Sequence, residues 1–295
     1  MILSAMRVSR TRSHGAIDEV GSESRSTAMP TAAGASRPAS GGPDANERPR
    51  VVAGAAAGFE TFLSGLGIEP APNPDSIEAS FSMVECDGRL DLRPPGESHR
   101  DGIRSRFPPD RFSDAGAQSP VARAFGRKTD PIFDLTAGLG GDAYRLARAG
   151  HRVFSCERDP AVYALLASGW AKDCASGQVD PEVAERLTFS WQEGASMLAR
   201  IDQANVGVYL DPMYPSPRRT RSLPKRELQV LRQLLGEAED AVALAHAARP
   251  LAARVVVKRP HRAAPLLPDV SFEVSTKLVR FDVYVNPERM EGGPS

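Results

Sequence analysis

Apolar positions gather in short runs along the second half of the chain. Residues 132–135, 153–156, 187–191, 206–210 and 254–257 are rich in apolar side chains, and a polar or glycine-bearing turn follows each run. Runs of this length fit buried strands. The segments between them predict helices over about 142–149, 160–172, 181–186, 196–200, 224–235 and 238–248. Pro160 suits the first turn of its helix. Residues 271–277 and 281–285 predict two further strands, tightly joined. Strands alternating with helices predict an α/β fold. Its sheet is mostly parallel, twisted and covered on both faces, with an antiparallel C-terminal strand pair at one edge.

The first half is less regular. Residues 1–50 are rich in Ser, Ala, Gly, Pro and Arg and nearly lack aromatics, which predicts a disordered extension. Arg7, Arg10 and Arg12 precede the first acid, Asp18, a faint likeness to an organelle transit peptide; a dispensable extension is the expectation. Residues 51–128 read as a small N-terminal lobe and a basic connector. Within the lobe, 55–66 predicts a helix, and 81–86 with 90–92 predicts a hairpin around Asp87-Gly88. The connector, 94–128, carries Arg100, Arg104, Arg106, Arg111, Arg123, Arg127 and Lys128, and reads either as a solvated link or as a phosphate-facing arm. Residues 129–288 form the α/β domain and 289–295 a disordered tail.

Composition narrows the class. The 295 residues are 41% hydrophobic and 25% charged with mean hydropathy -0.31, enough apolar material for a core. A net charge of +0 gives no global attraction to nucleic acid, so any such contact must come from local patches. Cys86, Cys156 and Cys174 are too few and too scattered for a disulfide framework, which suggests a reducing compartment and a cytoplasmic protein. Apolar runs fall well short of the roughly 18 residues of a membrane span, and no membrane contact is expected.

The chemistry collects at strand ends. Asp134, Glu157 and Asp211 close the first, second and fourth parallel strands, whose carboxyl ends share one edge of the sheet. Gly138, Gly140 and Gly141, followed by Asp142, form a turn where backbone N–H groups can approach a ligand. A carboxylate after the second strand suits the two hydroxyls of a ribose. Gly138 to Ala143 also fits the dinucleotide pattern G-x-G-x-x-A, which keeps an NAD(P)-binding oxidoreductase open. Asp211-Pro212-Met213-Tyr214 is close to the D/N-P-P-Y tetrapeptide of methyltransferases that modify exocyclic amines. A conjugated amine is a poor nucleophile. A carboxylate accepting its hydrogens orients the lone pair and favours the charge that develops on nitrogen. Tyr214 can stack on the base, and Pro212 and Pro215 stiffen the loop.

The segments DLTAGLGGDAYRLARAGHRVFSCERDP, VYLDPMYP, RVVVKRP and RFDVYV, in this order between Pro131 and Pro287, resemble the RsmJ family of 16S ribosomal RNA (guanine-N2)-methyltransferases. The resemblance implies a Rossmann-like class I methyltransferase that uses S-adenosyl-L-methionine. It also implies that Gly141 and Asp142 contact the cofactor, that Glu157 and Arg158 hold its ribose and flank the adenine, and that Glu193 and Gly194 lie near the adenine; Asp134, Gly138 and Gly140 are expected to border the cofactor from their place at the strand end and its turn. Asp211 would face both methyl donor and target amine, with Pro212 and Tyr214 beside it as the catalytic loop. Two departures stand out. The family often has a basic residue at the place of Gly141, and a small hydroxyl pair near Glu193-Gly194.

Arg218, Arg219, Arg221, Lys225 and Arg226, with Lys258 and Arg259 at the end of the fifth strand, are expected to bind RNA phosphates at the crevice mouth. The target base must then leave its stack. The five histidines are dispersed, and no metal is expected. The expected partner is 16S rRNA or the small ribosomal subunit, and the expected state a monomer. A non-catalytic RNA-binding protein, or a methyltransferase acting on adenine N6 or another planar amine, are the remaining alternatives.

Overall fold

A computed structural model describes residues 51–53, 58–69, 81–97, 102–108, 116, 118–214, 226–236 and 240–290. Strand β1 (Val51–Ala53), helix α1 (Glu60–Gly65) and strands β2 (Phe81–Cys86) and β3 (Arg89–Arg93) make a small three-stranded sheet in the order β1-β2-β3. The β2–β3 hairpin turns at Asp87 (φ 55°) and Gly88 (φ 73°), the two left-handed positions a two-residue turn of this kind requires. The predicted helix over 55–66 is shorter, starting at Glu60, and residues 54–57 lie outside the described set.

The described residues of the connector form a structural strap, where composition left a solvated link or a phosphate-facing arm open. Ile103 forms an antiparallel bridge with Leu92, and Arg104 pairs with the buried carboxylate of Asp91. Phe107 is fully buried, edge-on to Tyr144 and Trp170. Helix α2 (Pro120–Phe125), which the hydrophobic pattern left undetected, is capped by Ser119 and buries Val121, Ala122, Ala124 and Phe125.

The large sheet follows. Its elements are β4 (Ile132–Asp134), α3 (Gly141–Arg148), β5 (Val153–Glu157), α4 (Pro160–Ala175), α5 (Pro181–Arg186), β6 (Leu187–Trp191), α6 (Gly194–Leu198), β7 (Gly207–Leu210), α7 (Arg226–Leu235), α8 (Ala241–Ala248), β8 (Arg254–Pro260), β9 (Phe272–Ser275) and β10 (Val279–Val285). The order is β6-β5-β4-β7-β8-β10-β9; the first five strands are parallel and β10 is antiparallel to both its neighbours. Strand order therefore reverses between β4 and β7, the place where open α/β sheets bind ligands. Alternating side chains feed two cores. Ile132, Val153, Tyr209, Val256 and Val283 face the layer of α2 and α3, while Phe133, Cys156, Val208, Val255 and Tyr284 face that of α6 and α8.

Strand β8 runs three residues past its expected end at Val257, because β10 continues to pair with it through Val279↔Pro260. Lys258 and Arg259 are thus strand residues. The small sheet is pinned to α4: Arg89 donates to Asp173 (2.9 Å), which also accepts from Phe107 N (2.7 Å), and Leu63, Leu90 and Leu92 pack against Ala161 and Leu165. Gly169 is required there, since a Cβ would stand 2.4 Å from Ser105 O. The described residues belong to one compact unit. The extension expected to be disordered, 1–50, lies outside the described residues. Arg289, expected to open a disordered tail, is instead tied down: its guanidinium donates to Leu251 O and Gln203 O, both at 3.1 Å, and its carbonyl accepts from Asn205 N, while residues 291–295 lie outside the described residues.

Candidate active site

A cavity of about 650 Å³ opens where β4, β5, β7 and β8 end. That is within the range of small-molecule sites, roughly 300–1,000 Å³. Asp134, Gly138, Gly141, Asp142, Glu157, Arg158, Glu193, Gly194, Asp211 and Pro212 all line it, so residues far apart in sequence meet at one edge.

Asp134 is buried and braces the turn after β4. Its Oδ1 accepts from Thr136 N (3.0 Å) and its Oδ2 from Ser155 Oγ (2.8 Å). Burial pushes its pKa up to about 7 against those two bonds. Gly138 takes φ 53° and donates its N–H to Glu157 Oε2 at 2.9 Å. Gly140 differs from the expected cofactor contact: a Cβ there would stand 2.6 Å from Leu166 and 3.0 Å from Phe107, so close packing behind the turn requires this glycine. The N-terminus of α3 has no side-chain cap, and Gly141 and Asp142 line the cavity, so its first N–H groups are a ready acceptor-binding edge.

Glu157 is held from both sides. Oε1 accepts from Asp159 N (2.8 Å), Oε2 from Gly138 N, and burial raises its pKa to about 7. The Arg158 N–H bonds the carboxylate as well, so of its roughly four acceptor directions about one is left for a ligand hydroxyl. Arg158 pairs with Asp240 at 2.7 Å, bringing the end of β5 to the start of α8. Gly194 lets α6 approach the sheet, since a Cβ would stand 3.2 Å from Leu135 Cβ. Leu231 of α7 and Leu244 of α8 supply apolar wall.

Asp211 sits opposite. Its N–H donates to Thr136 Oγ1 (2.7 Å), tying the loop after β7 to the loop after β4. The ammonium of Lys258 donates to Asp211 Oδ2 and to Asp142 Oδ2, and Asp142 also accepts from Tyr209 OH (2.7 Å) and Arg145 (3.3 Å). Burial raises both acids and Lys258 opposes it in both. With the help of Tyr209 and Arg145, Asp142 ends below the ordinary carboxylate range. Asp211, facing the Asp142 charge, ends above it. Burial would lower Lys258, but Asp211 and Asp142 hold it above the ordinary lysine range.

This placement corrects the RNA-binding expectation for Lys258, whose ammonium is held inside the crevice by two carboxylates. Arg259 is likewise engaged: its guanidinium lies 4.0 Å above the Tyr214 ring and its Nε donates to Ala264 O. Tyr214 OH donates to Lys258 O (2.6 Å), and the residue is absent from the cavity lining, so its ring is braced against β8 before any base arrives. Arg226 pairs with Glu97 on the surface at 2.6 Å. Arg218, Arg219, Arg221 and Lys225 lie outside the described residues. Thr136, Tyr209 and Lys258 are the crevice residues that sequence reasoning missed or misplaced. Lys258 carried the same signal as the acids, a polar residue directly after an apolar run. Among the described residues no three His, Cys, Asp or Glu converge as metal ligands, and no helix is long and apolar enough to cross a membrane.

The family described as "Putative SAM-dependent methyltransferase" matches residues 80–286. Two proteins named ribosomal RNA small subunit methyltransferase J, from Serratia proteamaculans and Yersinia enterocolitica, are each 38% identical over 218 residues. They match 70% of this chain, and the aligned region covers 88% and 86% of their own lengths. A crystal structure described as a SAM-dependent methyltransferase from Neisseria gonorrhoeae is similar with TM-score 0.61 and 27% identity, covering 80% of this chain and 95% of that one.

Proposed function

We infer the reaction from one premise: the chain belongs to the SAM-dependent methyltransferase family, among the ribosomal RNA small subunit methyltransferase J proteins. It is a Rossmann-like, S-adenosylmethionine-dependent enzyme. The oxidoreductase reading of Gly138–Ala143 and the non-catalytic RNA-binding reading of the chain give way to that membership.

The acceptor is the exocyclic N2 of a guanine in small-subunit rRNA. The observation that carries this reading is Asp211: Lys258 occupies Oδ2, while the side chain is 35% exposed at the cavity and no described residue hydrogen-bonds Oδ1. One oxygen is fixed and the other is free to accept from a planar amine.

The cavity fits the cofactor's parts. Glu157 offers an acceptor for a ribose hydroxyl, Leu244 and Ala241 offer apolar wall for a purine, and Gly141 and Asp142 present the first N–H groups of α3. When bound, S-adenosylmethionine supplies a methyl group on a positively charged sulfur, open to direct displacement. Asp211 Oδ1 accepts a hydrogen of the target amine, aims its lone pair and stabilises the positive charge that grows on nitrogen. Asp211 or water takes the surplus proton afterwards. Pro212 fixes the loop, and Tyr214, clamped between Arg259 and Lys258 O, gives the base a rigid neighbour. Substrate and enzyme would meet in the cytoplasm, and 16S rRNA or the small subunit is the partner.

Mass spectrometry of rRNA nucleosides from cells with and without this chain tests the reading. Loss of N2-methylguanosine from small-subunit rRNA is expected. An unchanged level, or loss of N6-methyladenosine instead, would replace the acceptor.

A further inference from the structure

The turn joining β9 to β10 stands at the cavity mouth. Leu278 at its tip is 82% exposed, the most exposed large apolar side chain among the described residues, and lines the cavity with Val279. The turn is tightly braced. Thr276 N and Oγ1 both donate to Val279 O at 2.8 Å, while Thr276 Oγ1 accepts from Val279 N (3.0 Å) and Leu278 N (3.3 Å). His261 N donates to Leu278 O at 3.0 Å, fastening the tip to the segment after β8. The backbone therefore presents Leu278 to solvent in a fixed place.

Its surroundings are basic. Lys277, His261 and Arg262 are exposed around it, and no acid occurs from Lys258 through Pro268. The cavity floor, by contrast, is acidic, with Asp134, Asp142, Glu157 and Asp211. An apolar tip ringed by cations, beside an acidic pocket, matches a polyanion carrying stacked flat groups. A free nucleoside would leave the leucine in water.

We propose that Leu278 is a wedge that enters the RNA base stack where the target base has swung into the cavity. The proposal rests on the rRNA methyltransferase reading above. An amine inside a stacked helix cannot reach Asp211, so its base must be extruded at the cost of stacking and pairing. A leucine inserted at the vacated step restores apolar contact to the neighbouring bases and blocks return of the extruded one. Lys277, Arg262 and His261 then lie against the flanking phosphates.

Three substitutions at this open position test it. In L278S, kcat on saturating small-subunit rRNA transcript falls about tenfold, while calorimetric affinity for S-adenosylhomocysteine is retained. L278M, apolar and of similar size, recovers at least half of the lost rate. In L278W, the rRNA transcript quenches tryptophan fluorescence beyond the quench of the unaltered chain, which holds Trp170 and Trp191. An unchanged kcat in L278S, or no added quench in L278W, overturns the wedge. If the unaltered chain transfers no methyl to the transcript while L278W is still quenched by it, the wedge contact stands and the methyltransferase reading fails.

Discussion

The ammonium of Lys258 lies 2.8 Å from Asp211 Oδ2 and 2.7 Å from Asp142 Oδ2, so one cation joins the loop after β7 to the first turn of α3. Three carboxylates, Asp134, Asp142 and Asp211, share this edge of the sheet, and each raises the cost of ionising the next. Arg145 and Tyr209 also face Asp142. Lys258 is the cation that touches Asp211 directly, and its charge favours the ionised carboxylate against the cost of burial.

Replacing Lys258 by Met removes that support. The pKa of Asp211, already above the ordinary carboxylate range, rises further once the adjacent cation is gone. Activity needs the ionised carboxylate, so it is lost as pH falls through the Asp211 pKa, and K258M loses it at higher pH. The kcat–pH profile measures the shift: the acid limb moves up, and raising the pH restores part of the rate. A K258M profile that is lower at every pH but unmoved would show a purely structural lysine.

Glu157 acts on the cofactor. E157A should weaken S-adenosylhomocysteine binding by roughly 10–100-fold, the range for losing hydrogen bonds to a charged acceptor. Since burial raises Glu157 to about 7, affinity in the unaltered chain falls as pH drops below that value. Calorimetry at pH 6 and pH 8 reads both effects. A higher KM for rRNA with unchanged cofactor affinity would contradict the ribose role.

Asp134 links the site to stability. Its pKa is about 7 in the fold and near 3.8 in the unfolded chain, so between these values the folded state holds the extra proton. This group's contribution therefore falls as pH rises from about 4 to 7. In thermal melts across pH 5–8, the difference between D134N and the unaltered chain shifts in favour of D134N as pH rises. A pH-independent difference would show that Asp134 is not titrating in the fold.

Much of the large sheet was legible because its strands are short apolar runs that end abruptly at Asp134, Glu157 and Asp211. Ligand-facing residues stand at those ends by topology, which is why the acids could be placed before any coordinates. Lys258 was misplaced because a Lys-Arg pair in sequence resembles a solvated surface; only the β8–β10 register turns one of them inward. The connector was hidden for a related reason. Its order comes from distant partners, Arg104 with Asp91 and Phe107 N with Asp173, which no local pattern records. Gly140 matched a ligand-binding pattern while serving the packing of Leu166 and Phe107.

The central claim is that Asp211 Oδ1 grips the amine that receives the methyl group. Radiolabelled methyl transfer to small-subunit rRNA by D211A, at saturating cofactor, tests it most directly. The rate should fall by roughly 10²–10³, as when one oriented group is removed from a charge-developing centre. Transfer within a few-fold of the unaltered chain would contradict it.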